Sequence, residues 1–137
     1  MAKTVRRIEY FYVTVADKPG EARKVLSTLK QEGVNLVAFL GFPAGKGKSQ
    51  LDLIPQDAAA LRRAAEKGDW KLVGPKRAFL IQDSDRVGAV ADALEKLSGA
   101  SVNVTATSAA ACGQGHYGMT LWVAPTDYEK AAKALET

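Results

Sequence analysis

The chain has 137 residues, 47% of them apolar and 25% charged, and a net charge of +4. This is a globular balance, enough for one ordinary domain or two very small ones, and it excludes a disordered chain. The longest apolar stretches, such as residues 35–42, fall short of the roughly 20 residues that a membrane helix needs, and the start MAKTVRRIEYF lacks a signal-peptide core.

A cytoplasmic protein that does not engage a membrane is therefore expected, and the single Cys112, which has no internal disulfide partner, agrees with a reducing compartment. The cations are scattered rather than gathered in one run, which gives a general attraction for anions and singles out none of them.

Taken along the chain, residues 6–16 are rich in Tyr, Phe, Val and Thr and read as a strand, and residues 20–32 read as a helix with Ala22, Val25, Leu26 and Leu29 on one face. Residues 34–42 and 48–54 make two more strands around the Gly-rich loop PAGKGKS. Residues 56–67 form a second helix and WKLV a short fourth strand, and Gly74-Pro75 marks a seam too short for a flexible linker. Beyond it come a strand over 77–82, a helix over 86–98 with Val87, Val90, Leu94 and Leu97 on one face, hairpin strands over 101–111 and 117–124, and a helix over 126–136.

The second series repeats the first. Shifting the sequence by 68 residues aligns Asp17 with Asp85, Gly20 with Gly88, Leu26 with Leu94, Leu29 with Leu97, Val34 with Val102 and Asn35 with Asn103. The same ungapped register also matches Gly45 with Gly113, Gly47 with Gly115 and Leu53 with Leu121, so turn glycines meet turn glycines and helix leucines meet helix leucines. Strand, helix, strand, strand, helix, strand is the ferredoxin-like order, so the expected fold is α+β with two βαββαβ repeats, residues 5–74 and 75–137, packed as a pseudo-dimer. The second repeat ends at Thr137 with no fourth strand of its own, which leaves that edge to the chain's start or to another chain.

The joints DKPG (17–20) and DRVG (85–88) stand between the first strand and first helix of each repeat. A helix N-terminus presents unpaired N–H groups and the positive end of the macrodipole, which suit an anion. Gly20 and Gly88 bare the backbone there, and Lys18 and Arg86 add a cation in the same slot. The plainer reading is that Asp17 and Asp85 cap, Pro19 starts a helix, and the glycines ease a turn.

The stretch VADKPGEARKVLSTLKQEGVNLVAF resembles the opening of an ACT domain, in which a strand runs into a loop of D/N-x-P-G type, an amphipathic helix and a strand beginning V-N or I-N. IQDSDRVGAVADALEKLSGASVNVTA resembles the same motif, with Val87 in place of the loop proline. The resemblance covers nearly the whole chain as a tandem pair. It implies paired domains sharing a continuous antiparallel sheet, and an allosteric regulatory role in which an amino acid or related carboxylate binds at the domain interface. By motif matching, the resemblance makes Asp17, Lys18, Pro19 and Gly20 the loop that meets the ligand, and Asn35 and Leu36 the opening of the strand that lines the partner domain's pocket. By the same matching the second set is Asp85, Arg86, Val87 and Gly88 with Asn103 and Val104. It implies as partners a second copy of the chain in a homodimer and a regulated enzyme or transporter. If a single site is used, the more complete first repeat points to the loop of residues 17–20.

Other chemistry finds less support. Counting back from Gly47-Lys48-Ser49 puts Phe42 where a phosphate-binding loop needs Gly, and a strand follows in place of a helix. Cys112 and His116 are two ligands short of a usual metal site and lack an orienting neighbour for nucleophilic work. No catalytic group, metal or cofactor is expected, and the chain reads as a non-enzyme. The rival is an RNA-binding sheet, since Tyr117, Gly118 and Trp122 loosely echo a third-strand RNA signature, but Met119 stands where a stacking aromatic belongs. Nucleic acid is therefore an unlikely partner on sequence grounds. A purely structural or interaction module is the other alternative.

Overall fold

The computed structural model describes residues 3–137. Its elements are β1 (Thr4–Ala16), α1 (Glu21–Gln31), β2 (Leu36–Gly45), β3 (Lys48–Pro55), α2 (Ala58–Gly68), β4 (Val73–Ser84), α3 (Ala89–Gly99), β5 (Val104–Gly113), β6 (His116–Val123), a short 3-10 turn (Pro125–Asp127) and α4 (Tyr128–Leu135). The chain divides into two compact units, Glu9–Lys76 and Arg77–Thr137 together with the chain's start up to Ile8. They are called the first and second repeat below.

In the first repeat the strand order is β2, β3, β1 and then the first residues of β4; in the second it is β5, β6, β4 and then the first residues of β1. The pairings of β1 and β2 with β3, and of β4 and β5 with β6, are all antiparallel. Each repeat is thus a ferredoxin-like βαββαβ unit, and the two cores are built in one register. Phe11, Val13, Val25, Leu29, Val34, Leu51 and Leu53 fill the first, and Phe79, Ile81, Ala93, Leu97, Val102, Met119 and Leu121, each 68 positions further on, fill the second. Strand residues two apart and helix residues four apart share a face, so one periodic pattern written twice gives one core twice.

Three expectations change. WKLV does not form a separate strand: residues 70–72 lie outside regular structure, and β4 runs unbroken from Val73 through Gly74 and Pro75 to Ser84. The expected boundary at 74/75 therefore falls inside a strand, and the units divide at Lys76/Arg77. Gly74 is glycine for a local reason, since at φ 137 a Cβ would lie 2.9 Å from the Phe11 ring and 2.9 Å from the Tyr10 carbonyl oxygen.

The helix expected over 86–98 begins at Ala89, with Gly88 as its N-cap. Its buried stripe is Ala89, Ala93 and Leu97, while Val87 is fully exposed and Val90 about a third exposed, at 36%. Val87 precedes the helix and so lies off its stripe, while Leu97 is common to the expected and the observed one and Leu94 still packs at the core's margin.

The fourth strand of the second repeat comes from the chain's own start. Thr137 Oγ1 donates to the Val5 carbonyl at 3.0 Å, and Val5 packs on the core of that repeat. Arg7 reaches both Glu129 carboxylate oxygens, at 3.0 and 3.1 Å, and the Thr137 carbonyl at 3.1 Å. Arg77 joins the same Glu129 at 3.3 Å and lies 3.9 Å from the centre of the Tyr128 ring, which stacks on Phe79 at 4.5 Å. These pairs are solvent-screened and individually weak, so their effect is chiefly to set the register of the entering strand.

Candidate ligand-binding site

Both joints have the same backbone. Gly20 (φ 87) and Gly88 (φ 84) are left-handed N-caps, and neither α1 nor α3 receives a side-chain cap. Neither Asp17 nor Asp85 thus caps its helix, and Pro19 precedes the N-cap instead of opening the helix. Open space surrounds the position where a Cβ would stand at either glycine, so the left-handed φ alone accounts for them. Each joint is also tied to the tip of its own hairpin, by Asp17 N–H donating to the Gly47 carbonyl at 2.9 Å and Asp85 N–H to the Gly115 carbonyl at 2.8 Å.

At the second joint this frame borders an open hollow of about 240 Å³. Asp85, Arg86 and Gly88 of the loop, Ala89, Val90 and Ala91 of α3, Ala109, Ala110 and Ala111 of β5, and Tyr117 of β6 line it. The space follows from side-chain size. Ala109 faces Met119 and Ala111 faces Tyr117 across the strand pair, so both alanines lie on the face that carries the core of this repeat. Side chains that small leave the gap between β5 and α3 unfilled.

The polar groups around the hollow are complementary to a small carboxylate or zwitterion. Ala89 N–H donates to the Arg86 carbonyl at 3.2 Å and Asp92 N–H to the Gly88 carbonyl at 3.0 Å. Between them, the first-turn N–H groups of Val90 and Ala91 have no carbonyl within the helix to bond. The Arg86 guanidinium pairs with Asp92 at 2.6 Å, which holds its proton still more firmly than usual, and both side chains are about half exposed. Such a pair is readily reshaped by a competing anion. Burial raises the Tyr117 phenol, and the charge of Asp83 raises it further, so Tyr117 remains a protonated donor at neutral pH.

The first joint differs at the matching positions. Ser49 replaces Tyr117 and donates to Asp17 Oδ1 at 2.9 Å. Glu21 replaces Ala89 and brings a carboxylate into the first turn of α1, where its hydrogen bond with Lys24, at 2.7 Å, holds it below the usual carboxylate range. Gly41 replaces Ala109, but a Cβ there would lie 3.6 Å from Cζ of Phe39, whose ring leans over the strand.

The remaining expected residues lie elsewhere. Asn35 donates to Gln56 Oε1 at 3.3 Å beside the end of β3, and Leu36 faces Pro55. The joint 17–20 meets the hairpin tip at the other end of that strand pair, so the two parts of the first set stand at opposite ends of their repeat. Asn103 and Val104 stand likewise, where β5 begins opposite Val123, remote from Asp85 beside Gly115. Val87 points to solvent and does not line the hollow. The alanines of β5 had carried no ligand role in the sequence, and Tyr117 only that of a loose RNA-signature aromatic. Their signal was faint, an uninterrupted run of small residues facing a tyrosine.

Cys112 is free and exposed, and among the described residues no three or more His, Cys, Asp or Glu gather as metal ligands. Tyr117 and Trp122 are each only 6% exposed, which withholds the open aromatic platform that an RNA-binding sheet needs. Among the described residues no helix is long and apolar enough to cross a membrane.

The architecture, two ferredoxin-like βαββαβ repeats in one chain, recurs in solved structures. Protein BT0572 from Bacteroides thetaiotaomicron is similar at a TM-score of 0.82 with 18% identity, over 96% of this chain and 88% of that one. The ligand-free regulatory subunit of aspartate kinase from Thermus thermophilus follows at 0.64 with 14% identity, over 98% and 94%. The regulatory subunit of aspartate kinase from Thermus flavus is similar at 0.61 with 15% identity, over the same shares. No protein-family model and no curated protein matches the sequence. At these identities the likeness establishes the fold.

Proposed function

We propose that the chain is a non-catalytic regulatory protein that senses an amino acid or related small carboxylate, with the hollow at the second joint as its binding site. The observation that carries this reading is the meeting of Asp85, Arg86 and the uncapped start of α3 around about 240 Å³ of space walled by alanine. A carboxylate fits the N–H groups of Val90 and Ala91 with Arg86 beside them, and an amino group fits the Asp85 carboxylate. The regulatory subunits with this fold support the same assignment. Occupancy would hold the joint in one conformation and pass the change to a second copy of the chain, and through it to a regulated enzyme or transporter in the cytoplasm.

A thermal-melt screen of the full chain against the twenty amino acids and common oxo acids tests the reading. A ligand that binds only the folded state raises the melting temperature by mass action, so at least one compound should give a concentration-dependent rise. No rise with any of them at millimolar concentration contradicts it.

A further inference from the structure

We infer that Tyr117 selects the ligand of the second joint: its hydroxyl donates a hydrogen bond to an oxygen of the bound carboxylate, and its ring limits the ligand to what the alanine-walled hollow holds. The inference rests on the functional reading above and adds the residue that decides which carboxylate binds.

Three observations converge on Tyr117. Its side chain is packed into the core of the second repeat and only 6% exposed, and its hydroxyl has no hydrogen-bond partner among the described residues. The hydroxyl itself keeps access to solvent, so it is open to bond a ligand oxygen in place of water. Tyr117 is also a partition. Together with Arg86 and Ala89 it lines the hollow on one side and, on the other, a second hollow of about 370 Å³ that Lys3, Asp83 and Lys96 border. Finally, the matching position of the first repeat is Ser49, whose hydroxyl is already paired with Asp17. One site in the repeat thus has its hydroxyl satisfied within the chain in one copy and free in the other.

The donor role is chemically robust. Burial and the Asp83 charge both favour the neutral phenol, so the hydrogen bond survives from acidic to mildly alkaline pH.

The test compares Tyr117→Phe and Tyr117→Ser with the natural full-length chain, by melting without ligand and by calorimetric titration with whichever amino or oxo acids shift the natural protein. Tyr117→Phe keeps the ring, so it should melt unliganded as the natural chain does and bind the same compound about fivefold more weakly or worse. Tyr117→Ser, which removes the partition, should admit bulkier carboxylates that the natural chain rejects. Unchanged affinity in Tyr117→Phe overturns the inference and leaves the sensor reading standing. A melting temperature several degrees lower in unliganded Tyr117→Phe also overturns it, because the hydroxyl would then be bonded within the chain. If the natural chain binds none of the compounds, the functional reading itself fails and this inference falls with it.

Discussion

The two joints share a backbone and differ in what stands around it. Each has an Asp, a cation, a left-handed glycine, an uncapped helix and a tie to the hairpin tip. At 17–20 the chain supplies Ser49 bonded to Asp17, Glu21 at the helix start and the Phe39 ring beside Gly41. At 85–88 the matching residues are Tyr117, Ala89 and Ala109, and about 240 Å³ stays open. A duplicated turn thus supplies one scaffold in both repeats, and the side chains at three matched positions distinguish the two copies.

The largest expected effect comes from filling the hollow. Ala109→Phe adds an aromatic ring on the exposed edge strand β5, and ligand-induced stabilisation should vanish in thermal melts while the unliganded chain stays folded. Opening the first joint with Phe39→Ala should leave that stabilisation intact. Next comes charge: Arg86→Gln should weaken calorimetric affinity about tenfold, the scale of a charge-assisted hydrogen bond, whereas Lys18→Gln should leave it unchanged. Equal losses in the two variants would break the comparison.

The backbone should respond alike at both joints. Gly20→Ala and Gly88→Ala each place a Cβ on a left-handed residue at a cost of about 1–2 kcal/mol, read as a lower urea midpoint. Only the second should also reduce ligand binding.

The smallest effect concerns one position in β3 and β6, occupied by the buried polar residues Asp52 and Thr120, 68 apart. Burial holds the Asp52 carboxyl above the usual carboxylate range, opposed by the Gln50 amide at 2.9 Å and by Lys76. The folded chain thus binds that proton more tightly than the unfolded chain, and the stability it confers, full at low pH, is lost as pH rises through the raised value. Asp52→Asn should accordingly raise the urea midpoint at pH 7, with a gain that shrinks on acidification.

Much of the fold was legible because it rests on local periodicity written twice. Leu29 and Leu97, or Phe11 and Phe79, occupy the same place in their cores because strand and helix periods bring them there from neighbouring sequence. The entry of residues 4–8 into the second repeat was legible only as one of two options, the chain's start or another chain, since their partners Glu129 and Thr137 lie more than 120 positions away. Val87 was misplaced because an apolar residue just ahead of a helix looks like its first turn, and only the left-handed φ of Gly88 fixes the true start. The loop residues of the candidate site could be picked out as chemistry-bearing types at a helix start. Its walls could not, because alanine announces nothing until the width of the gap it faces is known.

The most direct test of the central claim is a ¹⁵N NMR titration of the assigned full-length chain with the amino or oxo acid that stabilises it most. The account expects the largest shift changes at the amides of Val90, Ala91, Ala109–Ala111 and Tyr117, saturating at one ligand per chain. Changes centred on residues 17–20, or spread evenly over the two repeats, would contradict it.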